Sequence, residues 1–322
     1  MNLEEYKKIF LSHLNKKVQL REPQNLYMPI KYILDLGGKR LRPILTLMTC
    51  DLFGAESNKA LDAALAIEVF HNFTLIHDDI MDNAPIRRGK ITVHEKWDSN
   101  AAILSGDAMM ILASQLFETY ESELFKPLVQ LFNKTALEVC EGQQYDVDFE
   151  TRNDVSIPEY LKMITFKTSV LVAAAMKMGA LIAEAKNQEC DAIYNYGLNL
   201  GLAFQLQDDY LDTYGNVESF GKQIGGDIIE NKKTFLYLKA FEKSNEDDKT
   251  KLVDLYNSNM NSAEKIREVK ILFDKNLIPE IVKKEIEGYT NKAFEYLSEL
   301  SVSDSKKQVL KEFGLNLMKR TI

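Results

Sequence analysis

Twice in this chain an apolar helical run ends in the pattern Asp-Asp-x-x-Asp. The first, IEVFHNFTLIHDDIMD, closes on Asp78, Asp79 and Asp82, and the second, GLAFQLQDDYLD, closes on Asp208, Asp209 and Asp212. Helix residues four apart stack on one face, so Asp78 pairs with Asp82 and Asp208 with Asp212. Extending the first face back by seven residues reaches His71, while Gln205 joins the second stripe three residues before Asp208. Gly201 lies on that stripe too and lets another chain segment or a ligand approach closely. Stacked carboxylates repel, and burying them is costly unless positive charge sits between them. One such motif reads most simply as a solvated acidic helix end. Two, each on an otherwise apolar helix, need another explanation. Facing one another across a cavity they would clamp several metal ions around a polyphosphate, since Mg²⁺ typically takes one or two carboxylates plus substrate phosphates.

The rest of the chain is patterned for helices. Apolar positions recur at three and four residues through Leu61–Met81, Leu104–Phe117, Tyr160–Ala183 and Tyr194–Leu211. With 15 Gly and 7 Pro in 322 residues, turn signals are too sparse for a β-sandwich, which wants one every ~8–12 residues. A hydrophobic share of 45% at a net charge of −8 predicts a folded chain. No boundary divides it, so the expectation is a single helical domain over 1–322. The acidic balance argues against nucleic acid as a partner. Ile164–Ala183 is the most apolar stretch, but Lys167 and Lys177 interrupt it, which predicts a core helix and no transmembrane segment. Charges in MNLEEYKKIF predict an amphipathic first helix rather than a signal peptide, and Cys50, Cys140 and Cys190, odd in number and far apart, fit a reducing cytoplasm.

Basic residues cluster although the chain is acidic. Lys39, Arg40 and Arg42 follow Gly37-Gly38; Arg87, Arg88 and Lys90 follow the first acidic motif; Lys222, Lys232 and Lys233 follow the second. Lys167 sits beside Thr168 inside an apolar helix, where an unpaired Lys is expensive. Arg offers a planar fork for phosphate oxygens and Lys a mobile point charge. Salt bridging to nearby carboxylates is the plainer role for Arg40, Lys90 and Lys233. His77-Asp78 lacks the further histidines that a metal phosphohydrolase would need.

Together GGKRLRP, HDDIMD with RRG after it, FKTS, FQLQDDYLD, GKQIGGD and NKKT stand in the order and spacing of the trans-isoprenyl diphosphate synthases. The resemblance runs from about Leu34 to Leu236 and implies an all-α bundle around a deep central cavity, usually a homodimer. It implies that Asp78 and Asp82 hold two of three Mg²⁺ ions and Asp208 helps hold the third, with Asp79 and Asp212 acting through water or behind them. Arg87, Lys167, Lys222 and Lys232 would bind an allylic diphosphate, with Gln205 and Thr168 nearby. Lys39, Arg42, His71 and Arg88 would hold isopentenyl diphosphate. Asp78, Asp82, Asp208, Lys167 and Lys222 are thus the candidate catalytic residues. The sequence departs from the family pattern at Ile91, where Pro is common.

The implied reaction is head-to-tail condensation of isopentenyl diphosphate with an allylic diphosphate, giving an all-trans prenyl diphosphate and diphosphate. A class I terpene cyclase shares the first acidic motif but needs neither the second DDxxD nor GGKRLRP. A non-catalytic partner subunit would tend to lose acidic residues, and none is lost. A long-chain polyprenyl synthase is the remaining alternative. In the resembling family a bulky residue at the position of Phe73 acts as a floor for the growing chain, and one at Thr74 raises it. Here the first is aromatic and the second small, and the acidic motif keeps its short spacing, which favours C20 before C15. The plainer reading of Phe73 is a core aromatic.

Overall fold

The apolar windows become helices, and the breakers set their ends. The computed structural model describes residues 1–216, 224–258 and 260–319. In order come α1 (Leu3–Lys17), α2 (Gln24–Asp35), α3 (Leu41–Leu52), α4 (Leu61–Met81), a hairpin of β1 (Ile86–Arg87) and β2 (Lys90–Ile91), α5 (Val93–Lys96), α6 (Ser99–Gln115), α7 (Ser122–Thr151), α8 (Ile157–Ile164), α9 (Val170–Ile182) and α10 (Asn187–Tyr214). Further helices run over Gly226–Ile229, Phe235–Lys243, Glu246–Asn257, Ser262–Lys275, Ile278–Ser298 and Asp304–Met318. Among the described residues the two-residue hairpin is the whole of the β-structure, pairing Ile86 with Ile91 and Arg87 with Lys90. The chain groups into two compact units, Met1–Ala136 with Ala174–Asp191, and Leu137–Ala173 with Ala192–Ile322.

The first unit is built around α4, which packs against α1, α2, α3 and α6. Ala63, Ala64, Ala66, Ile67 and Phe70 are fully enclosed, as expected of a helix apolar on most sides. At the outer end of α4, Asp62 accepts from His13 of α1 at 2.8 Å, so that histidine is a tether rather than a free surface group. A capping box formed by Asn2 and Glu5 starts α1.

In the second unit, Leu206, Phe235, Leu236, Leu252, Val269, Phe273, Ile278 and Val282 lie in one buried cluster. Helix α8 begins at a capping box made by Ser156 and Glu159. The Tyr160–Ala183 window, however, is not one helix. Thr165–Ser169 widens into a turn of π-helix between α8 and α9. Two glycines make room for it. A Cβ on Gly142 of α7 would lie 2.3 Å from the Lys167 backbone nitrogen, and one on Gly201 of α10 would lie 2.8 Å from Ser169 Cα. The close approach expected at Gly201 is thus made by the chain's own π turn.

Two helical runs, Ser99–Thr119 and Ile157–Ile182, are long and apolar enough to cross a membrane by length and composition. The second is mostly buried, and of its three lysines Lys167 is paired with Asp146 and Lys177 with Asp191, while Lys162 donates to the Tyr145 hydroxyl. The glycine contacts give a direct test. Gly142→Ala forces backbone apart and should destabilise the protein by about 1–3 kcal/mol. Gly288→Ala, on the exposed face of Ile278–Ser298 with nothing near its Cβ, should stabilise it by about 0.5–1 kcal/mol. Denaturant midpoints of the two variants check both signs.

Candidate active site

The first group of candidate residues lies in the first unit, at the end of α4. Asp78 is half-buried, Asp79 buried and Asp82 exposed, the last capping the helix. The hairpin that follows turns on Arg88 and Gly89, both at positive φ, as a tight two-residue connection requires. It brings Arg87 back onto α4, where Nε donates to Asp79 Oδ1 at 2.7 Å. Ile91 takes part in the hairpin, and its carbonyl accepts from Tyr32 Oη at 2.7 Å. Arg88 donates to the carbonyl of Gly37, and its guanidinium fills the space beside Gly38 that a side chain would take. Arg42 Nη1 lies 3.2 Å from His71 Nε2. Since Arg can only donate, His71 accepts there with a neutral ring. Removal from water, followed by the charges of Arg42, Arg88, Arg87 and Arg40, holds the His71 pKa well below its ordinary value. Lys39 is exposed on the loop before α3. The chain thus gathers Arg42, His71, Arg87 and Arg88 near the acidic end of α4, with Lys39 on the loop before α3.

Arg40 turns inward instead and pairs with buried Glu68, the structural role expected of it. Phe73 is half-buried, with ring centres 5.5 Å from Phe70 and 4.7 Å from His77. Phe70 in turn meets Phe132, and Phe132 meets Phe117, so Phe73 stands at one end of an aromatic column. Thr74 turns its hydroxyl back to the His71 carbonyl at 2.8 Å.

The second group lies in the second unit, at the end of α10. Buried Asp209 is a hub of hydrogen bonds. Tyr160 donates its hydroxyl to Oδ2, and Gln205 Nε2 donates to Oδ1 at 3.0 Å. Thr168, on the π turn, donates to Gln205 Oε1 at 3.1 Å. Asp212 Oδ2 accepts the backbone N–H of Asp227 at 3.0 Å. Lys167 is about a third exposed and donates to Asp146. Lys232 is exposed, 2.8 Å from Glu230 and 3.9 Å from Asp227. Lys222 lies outside the described residues. Lys233 departs from the expected carboxylate pairing. It donates to the carbonyls of Phe149 and Glu150, where the end of α7 leaves oxygens that attract a cation. Tyr160, Asp146 and Glu68 went unnoticed in the sequence because each acts on a partner far along the chain, and Asp227, though inside GKQIGGD, was given no role there.

Both acidic groups fit a hard cation. Among the described residues no three His, Cys, Asp or Glu side chains already converge on one point. That suits an ion held mainly by substrate phosphates and water, with one or two carboxylates. Asp79 Oδ2 is buried without a hydrogen-bond partner, and burial raises its pKa despite Arg87. At Asp209, burial and then the charge of Asp227 push the pKa up to about 8, with Asp208 adding to the repulsion. Added positive charge would relieve this crowding.

A profile of the polyprenyl synthetase family matches residues 23–272. A geranylgeranyl diphosphate synthase of Methanosarcina mazei is 43% identical over 232 residues, covering 71% of this chain and 72% of its own. A solved geranylgeranyl pyrophosphate synthase is 53% identical with a TM-score of 0.96, over 100% of both chains. The geranylgeranyl pyrophosphate synthetase of Pyrococcus horikoshii Ot3 is 32% identical with a TM-score of 0.92, over 99% of this chain and 97% of its own.

The raised Asp209 pKa has a stability consequence. Folded, the group keeps its proton until about pH 8; unfolded, it loses it near pH 4. Unfolding therefore releases a proton between those values, and stability falls as pH rises through the window. In EDTA the denaturant midpoint should drop between pH 5 and pH 8.5, and Asp209→Asn should remove most of that drop.

Proposed function

The chain belongs to the polyprenyl synthetase family, and from that premise we propose that it condenses isopentenyl diphosphate with allylic diphosphates to an all-trans C20 prenyl diphosphate. The observation that carries the reading is the arginine cluster around neutral His71 beside an acidic helix end, together with a second acidic helix end flanked by Lys167 and Lys232. The fold is the all-α isoprenoid synthase type. The domain is read as one synthase domain over 1–322.

Lys39, Arg42 and Arg88 hold the diphosphate of isopentenyl diphosphate, with neutral His71 adding a hydrogen bond rather than a charge. Arg87, Lys167, Lys222 and Lys232 bind the allylic diphosphate, and Thr168 and Gln205 orient it. Asp78, Asp82 and Asp208 would hold Mg²⁺, with Asp79 and Asp212 steadying the water around it. Bound there, Mg²⁺ would stabilise charge on the departing diphosphate. Each opposite unit charge at 4 Å contributes roughly 4 kcal/mol at an effective dielectric of 20, so the lysines and arginines that meet the leaving group lower the ionisation barrier strongly. The isopentenyl double bond, fixed by its own cationic pocket, then meets the allylic cation. The released diphosphate takes the final proton, and no protein base is required.

A second copy of the chain is proposed to cover α6. Leu104 and Ile111 are 60% and 61% exposed on one face of that helix, an apolar stripe that a soluble protein normally buries against a partner.

For product length, Phe73 is read as the floor and Thr74 as the open position above it. Purified protein, isopentenyl diphosphate, an allylic primer and Mg²⁺ test the whole reading by chromatography of the products. C20 is expected from the wild type, longer products by at least one isoprene unit from Phe73→Ala, and shorter ones from Thr74→Phe. No condensation would overturn the function; identical lengths from all three proteins would place the floor elsewhere.

A further inference from the structure

Glu68 lies on α4, well before the acidic motif, and takes no part in the chemistry above. Its side chain is 3% exposed and pairs with Arg40, whose side chain is 2% exposed. One Arg40 nitrogen donates to Glu68 and another to the Leu34 carbonyl. Asn72 Nδ2 donates to the same carboxylate oxygen at 3.0 Å and to the Glu68 carbonyl at 2.8 Å.

The backbone of Arg40 is in the left-handed region, with φ 53° and ψ 36°, directly before α3. A residue with a side chain stays there only when its surroundings hold it. Its neighbours on either side are Lys39 and, two positions on, Arg42. The Arg40 carbonyl accepts from Ile44 N at 3.2 Å, which starts α3 and sets where Arg42 leaves the helix. On the other side of the loop, Arg88 fastens Gly37. Anchored Arg40 therefore fixes the turn that aims two cations of the cluster.

We propose that Glu68 is a positioning residue for the isopentenyl diphosphate site, holding through Arg40 the left-handed turn that places Lys39 and Arg42. This rests on the function proposed above. Charge and geometry act with opposite signs here, which makes the idea testable. Glu68→Gln removes an acidic side chain that pairs with Arg40 and acts on both Arg42 and Arg88, leaving Asp79 acting on Arg88. By charge alone, an anion should then bind more tightly. Loss of positioning predicts the reverse.

The expected result for Glu68→Gln is a KM for isopentenyl diphosphate raised roughly tenfold to a hundredfold, the range for one misplaced charged hydrogen bond. The KM for the allylic substrate and kcat at saturation should stay within about twofold of wild type, because the turn that Arg40 holds carries none of the groups assigned to them. The double variant Glu68→Gln with Arg40→Gln guards against misfolding, since it leaves no buried charge unpaired and restores the net charge of the cluster. The shorter amide cannot reach both former partners of Arg40, so the same split in KM is expected. Thermal melts establish that each variant is folded.

An unchanged or lower KM for isopentenyl diphosphate in either folded variant would overturn the proposal. So would equal rises for both substrates, or a double variant that does not fold, which would make the pair a support of the fold and not of the site. If the wild type itself performs no condensation, the proposed function fails; if it does and the variants match it, only the role of Glu68 fails.

Discussion

Negative charge crowded against an apolar helix end is the constraint from which the rest of the site follows. Asp79 is almost wholly buried and satisfied at only one oxygen, by Arg87. Asp209 is buried among Asp208 and Asp227 and keeps its proton into neutral pH in the absence of a cation. A chain that tolerates such groups gives up stability, since each would be cheaper as an apolar residue of similar size. Under the proposed function, these positions would hold an affinity for positive charge that cations and a polyphosphate arriving together would satisfy.

The cationic side shows the complementary design. Burial, and then the charges of four arginines, holds the His71 pKa well below its ordinary value, so the ring works as a hydrogen-bonding group rather than a charge. Buried Glu68 offsets part of that charge, pairing with Arg40 and acting on Arg42 and Arg88 as well. Arg87 stays tied to the acidic stripe through Asp79, and Arg88 to the glycine loop. Arg87 and Arg88 are therefore held before substrate arrives, and holding reactants and catalytic groups in place is where much of the rate in such a condensation can come from.

Much of this was legible in the sequence, for physical reasons. Helix α4 spans Leu61–Met81, the bounds of its apolar window, because periodicity and a following breaker are both local signals. The paired DDxxD ends and the basic clusters were equally plain. The π turn at Thr165–Ser169 was not. Its residues keep a helical pattern on both sides, and the widening depends on Gly142 and Gly201, which lie on other helices. Tyr160 was hidden in the same way, as a core aromatic whose hydroxyl reaches Asp209 49 residues on. Lys233 looked like a surface ion-pair partner, but the open carbonyls at the end of α7 claim it.

If the acidic ends hold cations around a diphosphate, the ligands should depend on each other. The direct measurement is the melting temperature of the protein with Mg²⁺ alone, inorganic diphosphate alone, and both. Together they should raise it by clearly more than the sum of their separate effects, and Asp208→Asn should abolish that excess. A purely additive shift, or an excess of the same size in Asp208→Asn, would contradict the account.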